Sequence, residues 1–190
     1  PLTDRKGNVQ TITEDEEYTR VNFDKIPQLK PVFTKTGTVT AANASTINDG
    51  AAALVLASQE AIKEHQLTAL AKIISYADAA QEPEWFTTAP ILAAEKALKR
   101  AGLTMDDIDF FEVNEAFSVV PMAFAKHFSI SSEKLNIQGG GVAIGHPLGA
   151  SGARILTTLT HILHRKQAKY GMVAICNGGG GASAMIIERV

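Results

Sequence analysis

From about residue 36 onward the apolar and polar positions switch repeatedly between two periods. Residues 50–57, GAAALVLA, form a short continuous apolar run of the buried-strand type, and 58–66 change to helical spacing behind a serine that can cap a helix. Residues 70–77 predict a second strand, and 90–101 a helix with Pro90 in its first turn and Gly102 as its stop. Residues 108–113 predict a third strand, and 115–128 a helix that Pro121 should kink or delay. Ala153, Ile155, Leu156, Leu159, Ile162 and Leu163 mark one face of a helix running to about residue 166. Strands at 171–176 and 182–188 close the chain. Strands alternating with helices imply an α/β domain, its helices covering a mostly parallel or mixed sheet of five strands. Residues 1–35 have another texture, polar with an acidic run at 14–17 and prolines at 27 and 31, and predict a peripheral segment ahead of a domain at 36–190.

Composition narrows the function classes. The 190 residues are 45% hydrophobic and 20% charged with a net charge of −2, which suits a globular domain and argues against a general binder of nucleic acid or membrane surfaces. No apolar run is long enough to span a bilayer, and no charged-then-apolar leader opens the chain. The first residue is proline, so an upstream segment is expected. A single cysteine excludes an internal disulfide framework and a cysteine-cluster metal site, and it fits a reducing, cytoplasmic setting, with mitochondria and peroxisomes left open. The histidines lack metalloprotease spacing, and His161 with His164 predicts one exposed helix face.

Candidate chemistry gathers at three places where elements begin or end, as it does in open α/β sheets. Residues 138–154, QGGGVAIGHPLGASGAR, set His146 between Gly145 and Pro147, stiff backbone that aims an imidazole, with Ser151 placed to cap the following helix. A glycine-rich connection with an incidental histidine is the competing reading. Asn114 follows the strand FFEV, where its amide can fix a water or a carbonyl, or merely cap a helix. Cys176 ends the strand MVAIC before Asn177 and four glycines; it is core filler or a thiol whose thiolate bare N–H groups and a histidine can stabilise. Ser45, in the small-residue loop TVTAANAS, can cap, turn or touch a ligand. Amide, imidazole and thiol together suit acyl chemistry. A phosphate-binding glycine loop fits poorly, since the glycine runs lack the P-loop lysine and dinucleotide spacing.

The stretches Asn114-Glu115-Ala116-Phe117, GHPLGASG from Gly145 and Cys176-Asn177-Gly178-Gly179-Gly180 resemble, in order, the three C-terminal motifs of the thiolases. The loop from Thr38 to Ser45 and the NDGAA that starts at Asn48 resemble the family too, so the likeness covers nearly the whole chain. It implies a layered α/β/α thiolase domain, the C-terminal one, with residues 1–35 as the tail of the coenzyme A-binding loop region. By that resemblance His146 would activate the acyl-accepting cysteine, Asn114 would hold the water of the first oxyanion hole, and Cys176 would exchange the α-proton. The Gly178 N–H would serve the second oxyanion hole. Ser45 and Phe33 would lie along the pantetheine arm and Arg20 at the nucleotide end, while Phe86 would line the acyl pocket. Carbonyls of Ala41, Ala42, Ala44 and Val142 would match a potassium site. The wording of the alanine loop and the CNGGGG ending resembles the short-chain biosynthetic type, which condenses two acetyl-CoA to acetoacetyl-CoA and CoA, reversibly. A broader 3-ketoacyl-CoA thiolase of fatty-acid degradation and a non-catalytic CoA- or lipid-binding module are the alternatives. Coenzyme A thioesters would be substrates, no cofactor would be tightly bound, and the partners would be an N-terminal thiolase domain and further copies in a dimer or tetramer. The family's nucleophilic cysteine has no counterpart here, so the chain alone would be inactive.

Overall fold

The fold is described from a computed structural model, in which residues 1–15 and 17–190 are described and Arg20 by its backbone alone. Strands β3 (Ala71–Ala80), β4 (Phe110–Val113), β5 (Tyr170–Cys176) and β6 (Gly181–Arg189) form one mixed sheet in the order β3-β6-β5-β4. Only β4 and β5 run parallel. A two-stranded ribbon, β1 (Leu2–Thr3) with β2 (Val9–Gln10), lies exposed at the start of the chain, as a peripheral segment should.

Period-two alternation explains how the sheet is covered. Val113, Met172, Ala174, Cys176, Ala182 and Ala184 face α2 (Ala89–Ala101) and α3 (Val119–Phe128). Val173 and Ile187 face the opposite way, onto Ile155, Leu159 and Leu163 of α5 (Ser151–Lys166). The layers are therefore α/β/α. Close approach rests on small residues: Ala89, Ala93, Ala94 and Ala97 of α2 are fully buried, and a Cβ on Gly171 would come 2.8 Å from Leu159.

Most predicted elements stand where the pattern puts them. Ser58 caps α1 (Gln59–Glu64) by accepting from the Ala61 N–H, and Gly102 ends α2 with φ +67°. Pro121 sits in the first turn of α3, which starts at Val119, so proline delays this helix rather than kinking it. Two expectations need correction. The run 50–57 is not a fifth strand: it pairs with nothing among the described residues and is largely exposed, with Val55 at 90%. An apolar run becomes a strand only where it pairs with an edge, and this run pairs with neither edge strand of the sheet, β3 or β4. Nor does Ser151 cap α5; it is the helix's first residue, and its hydroxyl turns toward His146 instead.

Candidate active site

Each side chain of the site is held by an element end. Asn114 continues β4 by one residue, its N–H bonded to Ala174 O at 2.9 Å. Because Val113 pairs with Ala174, Asn114 and Cys176 stand beyond the same register point at the C-terminal ends of adjacent parallel strands. Asn114 is fully buried and caps no helix. His146 follows α4 (Gly141–Ile144) through Gly145, whose φ of +85° and contact with Asn48 leave no room for a side chain. The His146 N–H bonds to Thr46 O at 2.9 Å and the residue is 8% exposed.

The hydrogen bonds fix the tautomer. With Ser151 Oγ assigned as donor to Pro147 O at 3.1 Å, it accepts from His146 Nδ1–H, 2.6 Å away. That leaves Nε2 with its lone pair, facing the Asn114 Nδ2 donor at 3.4 Å. Burial first, and Arg154 second, hold the imidazole below its ordinary pKa, so the ring is neutral near pH 7 and able to take a proton. The Asn114 Oδ1 has no partner among the described residues, a buried acceptor ready for a donor.

Of the two readings of Cys176, its electrostatics follow the buried one. It is 7% exposed among the alanines facing α2, and burial pushes its thiol up rather than down. Beyond it the chain turns tightly: Asn177 N–H bonds to Gly181 O at 2.9 Å, and Gly179 and Gly180 take positive φ. Gly178 lies exposed in that turn.

Ser45 joins the site by its backbone as much as by its side chain. Its N–H and its hydroxyl both donate to Ala116 O at 3.0 Å, and Ser118 N–H donates to Asn43 O at 2.8 Å. Residues 43–46 thus strap the Asn114 loop to the His146 turn. Phe33 and Phe86 both meet the edge of Phe117, at ring separations of 5.8 and 6.1 Å. Phe117 was not singled out from sequence, although it sits within the Asn-Glu-Ala-Phe stretch; only the packing gives it this bridging place. The side chain of Arg20 lies outside the described residues.

Four carbonyls were expected to suit potassium. The bonds that close the alanine loop use the carbonyls of Thr38 and Thr40 and spare those of Ala41, Ala42 and Ala44. The His146 N–H goes to Thr46 instead of to Val142, the helical partner four residues back, so Val142 O is spared too. Neutral carbonyls are a fitting donor set for a large monovalent cation. Among the described residues no group of three or more His, Cys, Asp or Glu is placed to hold a metal. No helix is long and apolar enough to cross a membrane.

The acetyl-CoA acetyltransferase of Bacillus anthracis superposes with a TM-score of 0.91 at 39% identity, over 100% of this chain and 48% of its own. The Acat5 thiolase of Ascaris suum, crystallised with coenzyme A, gives a TM-score of 0.85 at 47% identity over 94% of this chain and 47% of its own. A probable acetyl-CoA acetyltransferase of Dictyostelium discoideum is 56% identical over all 190 residues, 46% of its length. The chain therefore spans about half the length of the curated relatives it matches. Residues 1–60 match the thiolase N-terminal domain and 67–189 the thiolase C-terminal domain, so the seam falls at α1, downstream of the change in texture at 35/36. With a thiolase match on each side of that seam, this chain belongs to the thiolase family.

Proposed function

We propose that the chain is part of an acetyl-CoA C-acetyltransferase, which condenses two acetyl-CoA to acetoacetyl-CoA and CoA, reversibly. The observation that carries this is the relay Pro147 O, Ser151, His146, Asn114, which leaves the imidazole Nε2 unprotonated and held by the Asn114 amide, at a strand end adjacent to that of Cys176. In this reading the acyl-accepting cysteine is supplied from outside these 190 residues, whose one cysteine is Cys176. His146 Nε2 takes the proton from that thiol as the sulfur attacks the acetyl carbonyl and CoA leaves. The leaving CoA thiolate takes the Cys176 proton, and the Cys176 thiolate then takes an α-proton from the second acetyl-CoA. The resulting carbanion attacks the acetyl-enzyme carbonyl, the acyl–sulfur bond breaks, and the released cysteine thiolate recovers its proton from His146. The raised Cys176 pKa makes it a strong base once deprotonated, and the Gly178 N–H would steady the thioester oxygen on which charge builds. Asn114 would hold the water that helps do the same for the first carbonyl.

Phe33 and Ser45 would border the pantetheine arm, with Arg20 nearer the nucleotide. Phe86, packed on Phe117, would close the acyl pocket to long chains. A potassium ion on the carbonyls of Ala41, Ala42, Ala44 and Val142 would supply fixed positive charge bracing the 38–46 loop. An N-terminal thiolase domain and assembly into dimers or tetramers complete the reading, in a cytoplasmic protein. The deciding experiment uses the protein from its complete reading frame: thiolysis of acetoacetyl-CoA and exchange of acetyl-CoA α-hydrogens in D₂O. Preference for a decanoyl-scale ketoacyl-CoA would favour the broader degradative thiolase, and CoA binding without exchange would favour a binding module.

A further inference from the structure

The relay through Ser151 approaches His146 from the helix that follows it. A second set of contacts approaches from the chain that precedes it, and the reaction as described gives it no task. β4 is an edge strand, and its free edge is paired briefly by residues 134–136: Phe111 N–H donates to Lys134 O at 2.8 Å and Asn136 N–H to Phe111 O at 2.9 Å. The Asn136 side chain then prolongs that pairing. Its Oδ1 accepts from Val113 N–H and its Nδ2 donates to Val113 O, both at 2.8 Å, so a carboxamide stands in for a peptide beside the residue preceding Asn114. The same Nδ2 donates to Glu115 Oε1 at 2.8 Å, and Glu115 Oε2 accepts from Val142 N–H at 3.2 Å, in the short helix that leads to Gly145 and His146. Asn136 holds a φ of +48°, a region asparagine tolerates better than most residues. Gly140 is fitted to the carboxylate as well, since a Cβ there would lie 2.5 Å from Glu115 Cδ.

We infer that Asn136 and Glu115 are positioning residues: a polar clamp that fixes the Asn114 amide and the His146 turn at the separation the chemistry needs. The inference rests on the thiolase reading above. The clamp grips the residues on both sides of Asn114 and the helix before His146, so its loss moves the two groups relative to each other while the sheet and α5 stay packed.

The test uses Asn136→Asp and Glu115→Gln, alone and together, in the protein from its complete reading frame. Asn136→Asp turns the donor facing Val113 O and Glu115 into an acceptor. Glu115→Gln sets a donor against either Asn136 Nδ2 or Val142 N–H. Each single variant is expected to lower kcat for acetoacetyl-CoA thiolysis tenfold or more with KM within about threefold. The double variant is expected to fall little further than the worse single, because both break one clamp. A merely structural role would leave kcat per folded molecule unchanged, and independent roles would multiply the two losses; either result overturns the inference. Should Asn136→Asp fail to fold, Gly140→Ala displaces the Glu115 carboxylate without touching Asn136 and must show the same loss in kcat. An unmutated protein that neither thiolyses acetoacetyl-CoA nor exchanges α-hydrogens fails the thiolase reading itself, before any variant is compared.

Discussion

Two buried titratable residues beside the site act on stability in opposite directions. Glu112 is 1% exposed, and burial lifts its carboxyl to about 7, with Arg154 at 3.5 Å offsetting part of the cost and Glu115 adding to it. A folded pKa above the unfolded one means stability that is complete below about pH 4.5 and lost as pH rises through 7. His146 is shifted down, so its contribution is present above about pH 6.5 and lost as pH falls through the folded value. The Glu112→Gln variant should therefore lose less stability than the parent between pH 5 and pH 8, the difference being on the order of 3 kcal/mol. Urea unfolding at the two pH values measures it, and equal losses in both proteins would refute the assignment. Cys176 gives a second residue-scale prediction. With its thiol pushed up by burial, alkylation by iodoacetamide should accelerate about tenfold per pH unit from 7 to 9. A plateau near neutral pH would show a stabilised thiolate instead.

At the scale of elements, α5 carries both core and chemistry. Leu159 in mid-helix is fully buried on the sheet, while Ser151 at the start of the helix contacts His146. Leu159→Ala should cost about 2–5 kcal/mol of stability, measurable as a lowered denaturation midpoint, because the cavity faces packed strands. Ser151→Ala should hardly change the midpoint yet reduce kcat by roughly 10- to 100-fold, since Nδ1 loses the partner that fixes the tautomer. Undiminished turnover in this variant would mean the ring is oriented by its backbone alone. The helices were legible because α2 and α5 show their apolar stripes and α2 its glycine stop. What the pattern misplaced was the use of a residue: Ser151 looks like a cap in sequence, but a histidine five residues back reaches its hydroxyl first.

At the scale of the molecule, one feature of the surface demands a partner. Val55 and Leu56 are 90 and 75% exposed on the run at 50–57 whose sequence reads as a buried strand, and Ile47 just before it is 83% exposed. Burying such side chains is worth about 1.5–3 kcal/mol each, so an apolar segment left bare should drive association. The chain expressed alone should elute from a sizing column above its 20.2 kDa mass, and Val55→Asp with Leu56→Asp should bring it back with unchanged circular dichroism. Monomeric elution of the parent chain would refute this. The segment lies within the 1–60 match to the thiolase N-terminal domain.

The sequence by itself determined what is local. Periodicity marked the two long helices and the four sheet strands, and the short motifs at 114–117, 145–152 and 176–180 identified residue types whose chemistry belongs together. These survive any reading because a helix stripe, a glycine stop or a proline acts within a few residues. Tertiary structure decided what depends on groups far apart in the chain. The Asn114 to His146 contact spans 32 residues, the Asn136 clamp on Val113 spans 23, and the Ser45 strap to Ala116 spans 71. Whether Cys176 is acidified or suppressed was likewise undecidable from its neighbours in sequence, because desolvation is set by the helix that covers the strand. The same holds for residues 50–57, whose apolar pattern predicts a buried strand while only pairing with an edge distant in the chain makes one.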